Sequence, residues 1–205
     1  MADTKISGLP ASTTPLAGTE VLPIVQSGVT AKVSVANLTA GRVLSTIGVT
    51  FPATQTPSAD ANTLDDYEEG LWTPTIGGTG ADPTGVNYNG NQYGRYTKIG
   101  NTVSLFVYVA FNTYTGGSGN IIIRGLPFAA VGTVAGGYCP GATQITAITL
   151  SAGNTWASIR TTPSSTYLDL QQQGSGTSWS ATGFGAITSN ATYKEMLASI
   201  TYFTA

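Results

Sequence analysis

The stretch Thr102-Val103-Ser104-Leu105-Phe106-Val107-Tyr108-Val109-Ala110-Phe111-Asn112 decides the fold class. Val103, Leu105, Val107, Val109 and Phe111 share one face by the period-two alternation of an extended chain. Its β-branched and aromatic residues suit a pleated, buried surface. The opposite face carries Ser104, Phe106, Tyr108 and Ala110, which is too aromatic for a face left in water. The strand therefore reads as covered on both sides, by the core of a sandwich in front and by another subunit behind. Phe106 and Tyr108 are the candidate subunit-interface residues.

Working outward, Gly100-Asn101 is a turn dipeptide preceded by a short strand over 93–99, and Gly116 to Gly119 turns the chain into a strand at 120–124. Further strands are expected at 131–138, 143–150, 154–161, 165–171 and 192–203. The turn signals recur roughly every 8–12 residues, the spacing of a sandwich or barrel. No helical period of useful length appears after residue 48. Residues 71–205 thus read as a jelly-roll-like antiparallel β-sandwich, in a chain that is mostly β. Residues 79–92 and 172–184 are expected to be surface loops and plausible contact tips.

Two segments precede this domain. Residues 49–70 form a linker with Phe51-Pro52, Pro57 and an acidic run of Asp60, Asp65, Asp66, Glu68 and Glu69. Residues 1–48 form a small module: a strand at 20–26, a turn at Ser27-Gly28, a return at 31–35 and a short helix over 36–44. So small a piece buries too little to be stable alone. Ile6, Leu9, Leu22, Ile24, Val33 and Val35 are its candidate attachment and assembly residues, meeting a partner or further copies.

Composition narrows the function. Only 9% of the 205 residues are charged, against about 25% in an ordinary domain. A large monomer surface is hard to solvate with so few charges, which leaves burial against other subunits or a neutral, Ser/Thr-covered surface. The net charge is −2 and the eight Lys and Arg are scattered singly, which argues against a nucleic-acid partner. No apolar run approaches the roughly 18 residues of a membrane span, so no membrane insertion is expected. The first residues include Asp3 and no apolar segment, so no secretory signal is read and synthesis in a cytoplasm is expected.

The chemistry-bearing residues are few. There is no histidine, which removes Ser–His and Cys–His nucleophiles and most zinc sites. Cys139, the single cysteine, has no base in view and reads as a buried structural thiol. A pair of carboxylates about 5–9 Å apart is the minimal glycosidase apparatus, but the acidic run lies in a linker without the rigid cleft that such a pair needs. Its spacing is not that of an EF-hand, although Asn62 beside the acids admits a Ca²⁺ site. The preferred reading is a solvated hinge or a contact to a neighbouring subunit's Arg42, Arg95 or Arg124. Gly77 to Gly80 and Gly116 to Gly119 lack the Lys and helix of a phosphate loop and read as turn tips. Tyr88, Tyr93, Tyr96, Trp156, Tyr167 and Trp179 offer faces for sugar rings, with core or interface anchoring the preferred role. No catalytic residue, cofactor or metal is expected.

Two sets of segments are similar to known proteins. Lys5 to Pro10, Leu16 to Gln26 and Lys32 to Thr39 resemble the N-terminal module of many phage tail-fibre and virion-surface proteins. Phe51 to Gln55, Asp60 to Pro74, Gly94 to Asn101 and Gly125 to Phe128 resemble the C-terminal β-domain that ends many such proteins. The resemblance implies a homotrimer on a bacteriophage virion, its N-terminal module attached to tail or capsid proteins and its β-domain facing outward, with a host surface glycan as a further candidate partner. A short tail fibre or knob is the leading role, a capsid decoration protein that clamps capsomers the alternative, and a polysaccharide-cleaving tailspike a distant third. A long shaft between the two modules is missing, because Gly48 passes almost directly to Phe51.

Overall fold

The computed structural model describes residues 21–26, 28–34, 43–45, 48–54, 58–60, 62–88 and 90–204. The chain divides into two compact units, Met1–Ala53 and Thr54–Ala205. In the first, β1 (Val21–Gln26) pairs antiparallel with β2 (Val29–Ser34), which sets Leu22 opposite Val33 and Ile24 opposite Ala31. Gly28 turns the chain between them at φ +77°. Ile6, Leu9 and Val35 lie outside the described residues. So does most of the helix expected over 36–44, but its last residues are strand: β3 (Val43–Ser45) pairs with β4 (Gly48–Thr50). Val43 and Val49 are β-branched, which favours this hairpin over a last helical turn.

The second unit is mostly strand and antiparallel throughout. Its strands are β5 (Tyr67–Trp72), β6 (Thr75–Gly78), β7 (Ala81–Thr84), β8 (Gln92–Ile99), β9 (Thr102–Phe111), β10 (Thr115–Ser118), β11 (Ile121–Arg124), β12 (Pro140–Thr146), β13 (Trp156–Arg160), β14 (Tyr167–Gln173), β15 (Ser180–Ala181) and β16 (Lys194–Phe203). One sheet runs in the order β5-β8-β9-β16-β12-β13-β14-β11-β6, with β15 alongside β14 and β7 paired separately with β10. The ends of this long ladder, β5 and β6, are joined by Thr73-Pro74 alone. A flat sheet cannot satisfy that link, so the sheet curls until its apolar face packs on itself, as a sandwich does.

The enclosed core gathers alternate residues from the whole circuit: Trp72, Ile76, Val103, Leu105, Val107, Val109, Phe111, Ile121, Ile123, Ile159, Leu168, Leu170, Met196, Ile200 and Tyr202 are all buried in one cluster. The inward face expected for β9 is the one observed. At one end an aromatic run closes the core edge to face, with ring centroids at 6.4 Å for Tyr88 and Phe111, 5.7 Å for Phe111 and Tyr114, and 5.6 Å for Tyr114 and Phe184. Two glycines are required by close approach. A Cβ on Gly94 would lie 2.2 Å from the Trp72 indole nitrogen, and one on Gly117, already at φ +89°, would lie 2.3 Å from the Phe184 ring.

Several elements differ from the sequence reading. Residues 131–138 form no strand; an irregular turn at Val134–Gly137, with Ala135 and Gly136 outside helical φ/ψ, takes their place. Gly132, Gly136 and Gly137 interrupt the stretch, and Gly136 sits at φ +108°, a left-handed conformation that breaks the extended run there. The strand expected over 143–150 is β12, which runs over Pro140–Thr146 and stops where Ala147 takes a positive φ of 57°. Gly77 and Gly78, expected at a turn tip, are strand residues of β6. There a Cβ on Gly78 would meet the Ser118 carbonyl at 2.3 Å, so the glycine serves packing rather than turning.

The acidic run is divided by the fold. Tyr67 to Gly70, expected in the linker, belong to β5 and pair with Tyr96 to Ile99 of β8. Asp66, just before β5, is buried and ion-paired with the buried Lys98 of β8. Lys98 occupies an inward position two residues after Tyr96, and its ammonium lies 5.4 Å from the Phe128 ring centroid. This pair fixes the start of β5 against β8.

Two expectations follow. Asp66→Ala strands a buried ammonium and should destabilise the second unit by about 3–5 kcal/mol, read from urea unfolding; a loss of under about 1 kcal/mol would mean the pair is solvated. Gly94→Ala drives a methyl group into Trp72 and should cost about 1–3 kcal/mol in the same assay.

Candidate subunit interface on the outer face of the sheet

The face of the sheet opposite the core is ordered by register. A single row of paired residues crosses eight strands: Leu71, Arg95, Phe106, Ser199, Ala142, Ser158, Gln171 and Ala181. Two residues toward the start of β5 a second row holds Glu69, Thr97, Ser104 and Thr201. Two further on, Tyr67, Ile99, Thr102 and Phe203 line up. Leu71 is 75% exposed and Phe106 42% exposed, and Tyr67, Ile99 and Phe203 are exposed as well. Between these taller side chains the small residues Gly70, Ser104, Gly141, Ala142 and Ser199 leave a groove of about 880 Å³.

The extent of this face decides its meaning. Five strands at about 4.8 Å and five residues at about 3.4 Å give a patch of about 400 Å² before side-chain relief is counted. The face is mixed: the exposed apolar side chains Leu71, Phe106, Tyr67, Ile99 and Phe203 flank a polar row of Glu69, Thr97, Ser104 and Thr201. Within the groove the charged residues are Glu69 and Arg95. Glu69 accepts a 2.8 Å hydrogen bond from the Tyr67 hydroxyl, which holds the phenol proton and raises the Tyr67 pKa. Among the described residues Arg95 makes no ion pair; the bridges formed are Lys98 with Asp66 and Arg124 with Asp82.

The two residues singled out from the sequence both lie on this face. Phe106 lines one end of the groove, on the middle of its five strands. Tyr108 is half-buried: its ring stacks on Tyr93 at 6.1 Å, and its hydroxyl meets Tyr193 and Glu195. Glu195 also accepts from Tyr193 at 3.0 Å and Thr146 at 3.1 Å. The Tyr108 hydroxyl is the main reason the Tyr193 pKa is raised, and Glu195 adds to it. Leu22, Ile24 and Val33 belong to the first unit and are placed by register alone.

The acids expected to reach a neighbour's arginines have partners nearer home. Asp66 is taken by Lys98, and Arg124 by Asp82 at 2.8 Å, which lowers the Asp82 pKa. Asp65 accepts from the Ser58 amide at 2.7 Å and Asp60 from the Asn62 amide at 2.9 Å, so both shape their own loop. Arg42 lies outside the described residues. Cys139 is buried and its thiol points to the Gly136 carbonyl at 3.1 Å.

The aromatic candidates separate into two groups. Tyr88 and Tyr96 pack against the core, and the Tyr88 hydroxyl accepts from the Ile76 amide at 3.0 Å. Tyr93, Trp156 and Trp179 are exposed. Sequence reading missed the company that Trp179 keeps: the Arg160 guanidinium lies 3.7 Å from its ring centroid and 5.2 Å from that of Tyr138. Asp169 stands opposite Arg160 in register and is buried. Burial raises the Asp169 pKa, and Arg160 offsets only part of that rise.

Fold and face together define an antiparallel, curled β-domain with a neutral, aromatic outer surface. No family model and no curated protein matches the chain. Among solved structures it is similar to the crystal structure of the Dettilon tailspike protein, with 18% identity and a TM-score of 0.48 over 67% of this chain and 24% of that one. The chain thus corresponds to about a quarter of that protein's length.

Because its folded-state pKa is raised, Asp169 favours folding in its protonated form. That contribution is complete below the ordinary carboxylate range and is lost as pH rises through the folded-state value. Near neutral pH the ionised group therefore costs stability. Asp169→Asn should raise the urea midpoint at neutral pH and change it little in acid; a lowered midpoint at neutral pH would show that Arg160 holds the carboxylate more strongly than burial opposes it.

Proposed function

We propose that the chain is a non-catalytic structural protein of a bacteriophage virion. In this reading it forms a short homotrimeric knob, attached to the particle by its N-terminal unit, with the curled β-domain facing the host surface. The observation that carries the proposal is the outer face of β5, β8, β9, β16 and β12: the exposed apolar side chains Leu71, Phe106, Tyr67, Ile99 and Phe203 set among small neutral residues and only two charges, in a chain with 9% charged residues. Such a face suits burial between subunits of a permanent assembly, where interfaces resemble a domain core cut in half.

The absence of histidine supports the non-catalytic part, and so does the fate of the acids. Asp66 is committed to Lys98, while Asp60 and Asp65 hold backbone amides. A glycosidase pair needs two carboxylates facing a common cleft with one pKa pushed upward. The acids of this run are instead divided between a buried ion pair, a loop and a strand edge.

Quantitative mass spectrometry of purified particles tests the reading. A tail knob should be present at a few dozen copies or fewer, in a multiple of three. Hundreds of copies would make it a capsid decoration protein, and its absence from washed particles would remove it from the virion.

A further inference from the structure

The clamp at the start of β5 brings an amine and a carboxylate together where water does not reach. The side chains of Lys98 and Asp66 are 5% and 1% exposed, and the Lys98 ammonium touches the Asp66 carboxylate directly. Both residues are held by backbone pairing. The Gly100 amide donates to the Asp66 carbonyl at 3.0 Å, and Lys98 pairs with Glu68 on the same two strands. The surroundings are aromatic: the Phe128 ring centroid lies 5.4 Å from Lys98 Nζ, and Tyr96 meets Phe128 edge to face at 5.3 Å. Glu68 is half-buried and stands opposite Lys98 in register, hence on the same face of the sheet. The other buried lysine makes a useful contrast. Lys194 donates to the Asn112 and Ala191 carbonyls and, among the described residues, forms no ion pair, so it has no carboxylate to condense with.

We propose that Lys98 and Asp66 condense into an intramolecular isopeptide bond, with Glu68 as proton relay, so that the entry to β5 is joined covalently to β8. Lys98 Nζ attacks Asp66 Cγ; the N–C bond forms and one Cγ–O bond breaks. The two protons that the nitrogen sheds end on the departing oxygen, which leaves as water, and Glu68 passes one of them across. The reaction is ammonium plus carboxylate to secondary amide plus water, and it needs no further reactant. In water the hydration of the two charges opposes it. Here folding has already stripped that hydration, and the contact of nucleophile and acyl group makes the attack intramolecular. β5 is the terminal strand of its sheet and the first strand after the boundary between the two units. A load applied through the N-terminal unit therefore falls first on β5 and β8, and the cross-link bears it in place of hydrogen bonds. That use of the bond rests on the anchoring reading above; the bond itself does not.

The test is the mass of the purified full chain under denaturing conditions, followed by tryptic mapping. The chain should weigh one water less than its sequence. Trypsin should release a branched peptide joining residues 43–95 to residues 96–124 through Asp66 and Lys98. Lys98→Arg keeps the charge but not the nucleophile and should show its full sequence mass. Glu68→Gln, with the circular dichroism spectrum of the parent, should remain largely unlinked. A folded parent chain at its full sequence mass overturns the proposal, and so does a loss of water without the branched peptide. A Glu68→Gln chain linked as completely as the parent overturns the relay. The mass is read on the free protein and copy number on particles, so either idea can fail without the other.

Discussion

Trp72 ends the first strand of the sheet and Thr75 begins the last, so two residues hold together the ends of a ladder that runs through seven other strands. This link sets the curvature, and the curvature encloses the core. The indole of Trp72 lies at the same corner and packs over Gly94, where a Cβ would run into the ring. The Lys98–Asp66 pair secures the other end of β5. Hydrophobic burial supplies the driving force, but connection and clamp decide which face of every strand it acts on.

That choice of faces explains what was readable from the sequence. The alternation from Thr102 to Phe111 is visible because each inward position of β9 is a large apolar residue in a long central strand. β8 is harder to read because its inward residues are Gly94, Tyr96 and Lys98, which serve Trp72, Phe128 and Asp66 rather than a continuous apolar stripe. A buried lysine cannot be told from an exposed one until its partner, 32 positions away, is brought to it. The glycine-rich strands β6 and β10 were hidden for a related reason: their glycines answer to close approach by Ser118 and Phe184, not to strand propensity.

The candidate interface was partly legible. Phe106 and Tyr108 stood out because aromatic residues on the outward face of a strand conflict with solvation. Their surroundings did not, since Leu71, Arg95, Ser199 and Ala142 join Phe106 only through the register of four pairings. The clamp of Arg160 between Trp179 and Tyr138 likewise joins three separate segments of chain. Short-range patterns identify the unusual side chain; the sheet decides which others it meets.

The central claim is that the outer face around Phe106 is covered by further copies of this chain. Sedimentation equilibrium of the purified protein and of Phe106→Glu tests it most directly. The parent chain should sediment as a trimer of its 21.0 kDa mass, and the variant, which places a charge on the groove wall at its middle strand, should sediment as a folded monomer. A parent chain that remains monomeric at high concentration, or a variant that remains trimeric, would contradict the account.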